Sequence, residues 1–231
     1  MPYGRHADVA DDKALVPVLG GIEINMRFTW CISLLVSSLV VSLSLISAHR
    51  LAAEDKKSDD KGDLPGPFHP YNITGEYQGK FHCLVCDHGL FPGALVFVRG
   101  ADPSKEVQSL LTGLNEIAKK DEKARFEVFA IFLDSELTNS LTGDNKIDDR
   151  RDELADKLRP LQKQLGLDHA VFALEAEKNL KGFILGEKDA VTVILYSKVK
   201  IVDRFAFEKL DAKDVDAILA AAREKLTSKK K

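Results

Sequence analysis

Two cysteines three residues apart, in the run Cys83-Leu84-Val85-Cys86, are the residues of this chain best suited to chemistry. At that spacing two thiols can close a small disulfide and exchange it with a thiol from another molecule. The exchange needs a thiolate held by nearby positive charge. Lys80, His82 and His88 lie within a few residues and can supply that charge, while Gly89 and Pro92 shape the loop that follows. On this reading Cys83 and Cys86 are the catalytic pair, the more solvent-facing sulfur attacking and the other resolving the mixed disulfide. Two other uses of the same residues stay open. One is a structural staple, although a ring of four residues contributes only about 2 kcal/mol against about 4.7 kcal/mol for a hundred-residue loop. The other is a metal site built from His82, Cys83, Cys86 and His88, with His69 upstream. Structural zinc takes a second ligand pair from a distant segment, and this sequence has no second Cys-x-x-Cys and no His-x-x-x-His. No metal and no cofactor are therefore expected.

The remaining candidates are weaker. Asp148-Asp149 and Asp152-Glu153 fall on the face of a helix opposite its leucines and read as its solvated side. Asp144-Asn145 lacks the spacing of a calcium loop, and His169, just before a strand, reads as a packed or exposed histidine. The chain contains no P-loop, no dinucleotide-binding glycine pattern and no Gly-x-Ser-x-Gly elbow. Its net charge of -3 offers no basic field for nucleic acid, and Lys229, Lys230 and Lys231 read as a solvated tail. Nucleic acid is excluded as an expected partner.

The 231 residues divide by composition. From Phe28 to Ala48 the chain is apolar and uncharged, preceded by Arg27 and followed by the small residues Ala52 and Ala53, the pattern of a secretory signal. Met26-Arg27 is the natural start of such a signal, so residues 1–25 are expected to be a mis-assigned extension and 26–53 a signal peptide. The rival is an uncleaved anchor, which would be the chain's one contact with a membrane. Cleavage removes Cys31 and leaves an even pair in an oxidising compartment, so a periplasmic or secreted location is expected. Residues 54–67, charged and rich in Gly and Pro, read as a flexible linker, and 68–231 as one domain.

Within that domain Ala94–Val98 is a continuous apolar run suited to a strand buried on both faces. Asp102-Pro103 then opens a helix with Val107, Leu110, Leu111, Leu114, Ile117 and Ala118 at helical spacing. Phe126–Leu133 is a second strand. Leu154, Leu158, Leu161 and Leu165 mark a second helix, kinked at Pro160 and closed by Gly166. Ala170–Ala173, Val191–Tyr196 and Lys200–Phe207 follow as strands, the last two joined by a turn at Ser197-Lys198, and a final helix begins at Asp211. Right-handed crossovers make the first two long strands parallel neighbours and leave the hairpin as the antiparallel side of a mixed sheet with helices on both faces, an α/β three-layer sandwich.

This order, over Phe68 to Leu226, resembles the thioredoxin-like superfamily. The residues Thr74, Gly75, Gly79, Lys80, Cys83, Cys86, Gly89 and Pro92 resemble a motif of exported bacterial thioredoxin-like proteins, a Cys-x-x-Cys-x-x-Gly-x-x-Pro run ahead of the first core strand. The resemblance implies thiol-disulfide exchange with other proteins or small thiols as partners, and cysteine order in related families implies Cys83 as attacker. Two features depart from a thioredoxin. The pair precedes the first core strand instead of following it, and the segment after that strand, Arg99 to Lys105, has no cysteine. Ala190-Val191-Thr192 also stands where thioredoxins carry a cis-proline. These departures favour the other reading, a non-enzymatic domain whose disulfide clamps a loop and which serves as a binding or scaffold module in the cell envelope.

Overall fold

The structure, a computed structural model, describes residues 62–138 and 143–227. The expected extension, the signal segment with Cys31, residues 54–61 of the linker and the three terminal lysines lie outside them. No helix among the described residues is long and apolar enough to cross a membrane.

Six strands form one sheet: β1 (Tyr71–Asn72), β2 (Gly93–Arg99), β3 (Glu127–Leu133), β4 (Ala170–Glu175), β5 (Val191–Ser197) and β6 (Lys200–Phe207). Their spatial order is β1-β4-β3-β2-β5-β6. β2, β3 and β4 are parallel, whereas β1, β5 and β6 are each antiparallel to their neighbours. The mixed sheet and its hairpin side follow the sequence-based expectation. β2 is paired on both edges and buried along Gly93 to Val98, which is why its sequence carries no polar alternation.

The helices are α1 (Leu84–His88), α2 (Lys105–Lys120), α3 (Asn145–Gln164) and α4 (Ala212–Leu226). Going from β2 to β3 to β4 the chain steps twice in the same direction, so right-handed crossovers bring α2 and α3 to the same face. α4 joins them there. Leu110, Leu114, Leu158 and Ile218 pack with Val96, Ala130, Phe172 and Val193 into the larger core. The alternate strand residues Leu95, Phe97, Phe129, Ile131, Ile194 and Tyr196 face the other way. They are covered by Leu64, Phe68, Leu84 of α1, and Leu180 and Phe183 from two short 3₁₀ turns. Both faces thus carry helix, but all three long ones share one side.

Several local expectations shift by a residue or two. α2 is capped by Ser104, whose Oγ accepts from Val107 N at 3.3 Å, and not by Asp102. The hairpin turn is Lys198-Val199, both at positive φ, in place of Ser197-Lys198. α3 runs through Pro160 to Gln164, with Gly166 at φ 63 beyond it as its glycine stop. Asp144, set aside as a calcium ligand, caps α3 by accepting from Lys146 N at 3.0 Å. The linker boundary also moves: Leu64 is buried and its N–H donates to Val199 O at 2.8 Å, while Ile201 N donates to Gly62 O. Composition alone misplaced these residues because two backbone bonds and one leucine hold them on β6.

Two side chains register the cost of this packing. Gly93 opposes Tyr196 across the β2–β5 pair, and a Cβ at Gly93 would lie 2.5 Å from the Tyr196 hydroxyl oxygen. The ring is wholly buried and cannot swing aside. Gly93→Ala is expected to lower stability by about 1–3 kcal/mol in urea melts through overpacking. Glu175, at the end of β4, is buried, with Oε1 accepting from Ala176 N and Asn179 Nδ2, each at 2.8 Å. Burial raises its pKa, outweighing those two bonds. The folded protein therefore holds this proton more tightly than the unfolded chain, and stability falls as pH rises through the folded value. Glu175→Gln should raise the Tm at pH 8, and this gain should shrink towards pH 4.

Candidate functional site

The chain reaches the cysteines through a small hairpin on the sheet edge. Asn72 N donates to Lys80 O at 2.9 Å, Gly79 N to Asn72 O at 2.8 Å and His82 N to Pro70 O at 3.2 Å, so Phe81 lies beside Tyr71. Their rings meet edge to face at 5.3 Å. The guanidinium of Arg151, itself buried on α3, stands 5.1 Å over the Phe81 ring and 5.4 Å over that of Tyr71. This cluster fixes the approach to Cys83.

Cys83 is the N-cap of α1 and Cys86 lies one turn on, which brings the two sulfurs into a disulfide with 5.3 Å between Cα atoms. Cys86 N also donates to Cys83 Sγ at 3.2 Å. Their environments differ sharply. Cys83 is 4% exposed, next to Leu84 in the smaller core, whereas Cys86 is exposed on the outer side of the turn. Of the two cysteines Cys86 is therefore the more accessible, whereas the family resemblance implied Cys83 as attacker.

The nearby charges are differently placed from the sequence-based expectation. His82 stacks flat on Tyr77 with ring centres 3.5 Å apart, and its Nε2 is 3.9 Å from Asp87 Oδ1. His88 is turned inward. Its Nε2 bonds to Pro92 O at 2.9 Å, its Nδ1 lies 3.3 Å from Glu127 Oε2, and its edges meet Phe129 and Tyr196. It anchors the end of α1 to the starts of β2 and β3. Lys80 is exposed on the returning arm of the hairpin, opposite Asn72. Among the described residues no group of three or more His, Cys, Asp or Glu side chains is arranged to hold a metal. His69 is exposed and His169 contributes a backbone N–H to Asn115 Oδ1 at 2.8 Å.

Glu127, Tyr196, Arg151 and Arg99 gave no signal in the sequence, since each meets a partner distant along the chain. Arg99 closes the other end of β2, where a thioredoxin would hold its cysteines. Its Nε donates to Asp189 O and one Nη to Gly186 O, both at 2.6 Å, and it pairs with Glu177. Ala190, in the place of the cis-proline, offers its carbonyl to Arg99 N at 3.0 Å.

No protein-family profile and no curated protein sequence matches the chain. Solved structures do. A secreted thiol-disulfide isomerase from Corynebacterium glutamicum shares 14% identity at a TM-score of 0.49, over 74% of this chain and 93% of that one. A thiol-disulfide oxidoreductase from Bacteroides fragilis shares 18% at 0.44, over 68% and 97%. A thiol peroxidase from Chromobacterium violaceum shares 15% at 0.47, over 71% and 86%. The fold is thioredoxin-like. Its own topology carries that statement: a central β2 between a parallel β3 and an antiparallel β5–β6 hairpin, with the last helix packed beside α2.

The Glu127 carboxyl is held below the usual glutamate range, chiefly by its bond to His88, against the opposing effect of partial burial. Its contribution to stability is thus present above the ordinary glutamate pKa and is lost as pH falls through the lowered folded value. Glu127→Gln should lower the Tm modestly at pH 6, the carboxylate being nearly half exposed. Melts repeated at successively lower pH should show the two proteins converging, and a gap that stays constant would contradict the pairing.

Proposed function

We propose that this chain is an exported thiol-disulfide redox protein in which Cys83 and Cys86 interconvert between disulfide and dithiol. One observation supports this above the others: the disulfide joins an exposed residue, Cys86, to a buried one, Cys83, on a folded scaffold. In the exchange an incoming thiolate attacks Cys86 Sγ. The Cys83–Cys86 bond breaks, its electron pair leaves on Cys83, and the Cys86 N–H already directed at that sulfur stabilises the thiolate. A second thiol of the same partner then attacks the mixed disulfide and releases Cys86. The partner's dithiol is oxidised to a disulfide as this pair is reduced, and the reverse sequence reduces a partner disulfide. The apolar run from Phe28 to Ala48 supports export, into a compartment where the pair can persist oxidised. Partners are then proteins or small molecules bearing thiols or disulfides.

A second reading keeps the fold and makes the disulfide a clamp on α1, in a binding or scaffold module of the envelope. The burial of Cys83 and the closure of the opposite end of β2 by Arg99 favour it.

Insulin reduction together with a redox titration separates the two. The redox reading expects turnover that is lost in both Cys83→Ser and Cys86→Ser. It also expects a mixed disulfide that accumulates at Cys86 when Cys83 is replaced and at neither position when Cys86 is replaced. A potential well below about -300 mV with no turnover would establish the clamp.

A further inference from the structure

The residue before Cys83 and the residue after Cys86 meet across the disulfide loop. His82 Nε2 lies 3.9 Å from Oδ1 of Asp87 on α1. Tyr77, in the turn of the preceding hairpin, lies flat against the His82 imidazole, and its hydroxyl donates to the same Asp87 Oδ1 at 3.4 Å. The Asp87 charge is the main cause of a raised Tyr77 pKa, so the hydroxyl keeps its proton and remains the donor. The His82 side chain is 33% exposed, yet its Nε2 is shielded from solvent and has no hydrogen-bond partner among the described residues. That nitrogen faces a carboxylate with little water to weaken the attraction. Of the other cations near the cysteines, His88 is turned inward onto Pro92 O and Glu127, and Lys80 stands exposed on the hairpin.

We propose that His82 and Asp87, steadied by Tyr77, are positioning residues that clasp the two ends of the Cys83–Cys86 ring and make its disulfide harder to reduce. This rests on the reading that the pair opens and closes reversibly. Opening the bond frees the loop between the cysteines, and that gain in conformational freedom favours the dithiol. A contact from residue 82 to residue 87 spans the same loop from outside. It limits the freedom gained on opening and keeps each thiol near the other, so the closed form is favoured. The contact needs both partners, and losing either side chain loses all of it. Two charges acting independently on a thiolate would behave otherwise: Asp87 would disfavour the thiolate and a protonated His82 would favour it, so their removal would have opposite effects. With Asp87 half exposed, the clasp changes the equilibrium by only a few fold.

The test uses the full chain with Cys31→Ser, equilibrated at pH 7 in mixtures of reduced and oxidised dithiothreitol. The protein disulfide takes up two electrons and two protons as one dithiothreitol closes to its cyclic disulfide, and alkylation followed by intact mass gives the reduced fraction. We expect His82→Asn and Asp87→Asn each to shift the equilibrium about threefold towards the dithiol, and the double substitution to go no further than either single one. Tyr77→Phe, which keeps the stacked ring and loses the bond to Asp87, should shift it the same way by less. Single shifts of opposite sign, single shifts that add in the double substitution, or no shift at all would overturn the proposal, as would a pair that stays closed in excess dithiothreitol. Insulin turnover by the unaltered chain is read separately. Absent turnover with the coupled shifts intact removes the redox reading alone, and turnover with opposed or additive shifts removes only the clasp.

Discussion

The structure depends on one constraint: β2 is buried on both faces and paired on both edges, so the rest of the chain must cover two apolar surfaces. Right-handed crossovers that step twice the same way commit α2 and α3 to a single side, and α4 follows them. The other side, with Phe97, Phe129 and Tyr196, is left to shorter pieces. One of those pieces is α1. The turn that carries the cysteines is thus part of the lid on an apolar sheet face, and this is what buries Cys83 and leaves Cys86 in solvent.

The same arrangement explains how the two ends of β2 have divided their roles. At its start, His88 bonds Pro92 and approaches Glu127, while Tyr196 lies across Gly93, so the segment from α1 into β2 is fixed by groups from three strands. At its end, Arg99 takes the carbonyls of Gly186 and Asp189 and pairs with Glu177, drawing the loop after β4 over the place where a thioredoxin keeps its reactive pair. Cation and carbonyls satisfy one another there, and no sulfur is near them in sequence. The fold is thioredoxin-like, while the disulfide lies at the opposite end of β2 from a thioredoxin's.

Burial and charge act together at few points. Glu175 and Tyr196 are both pushed up by loss of water, and the Tyr196 hydroxyl finds no protein partner among the described residues. Glu127 goes the other way because His88 faces it. Burial is only partly offset at Glu175, through the two bonds to Oε1, and is not offset by any protein partner at the Tyr196 hydroxyl among the described residues.

The sequence by itself determined the order of strands and helices from β2 onward and the α/β class, because long apolar runs and leucines at helical spacing are local patterns that need no partner to be read; the short β1 and α1 carry no such pattern. It also determined that Cys83 and Cys86 can meet, since a spacing of three residues lets two thiols close a small ring, although the turn of α1 that closes it came only with the structure. Only the tertiary structure decided which sulfur faces water, where His88 points, and that Arg99 closes the far end of β2. Each of these depends on contacts between residues distant along the chain, and such contacts leave no spacing in the sequence.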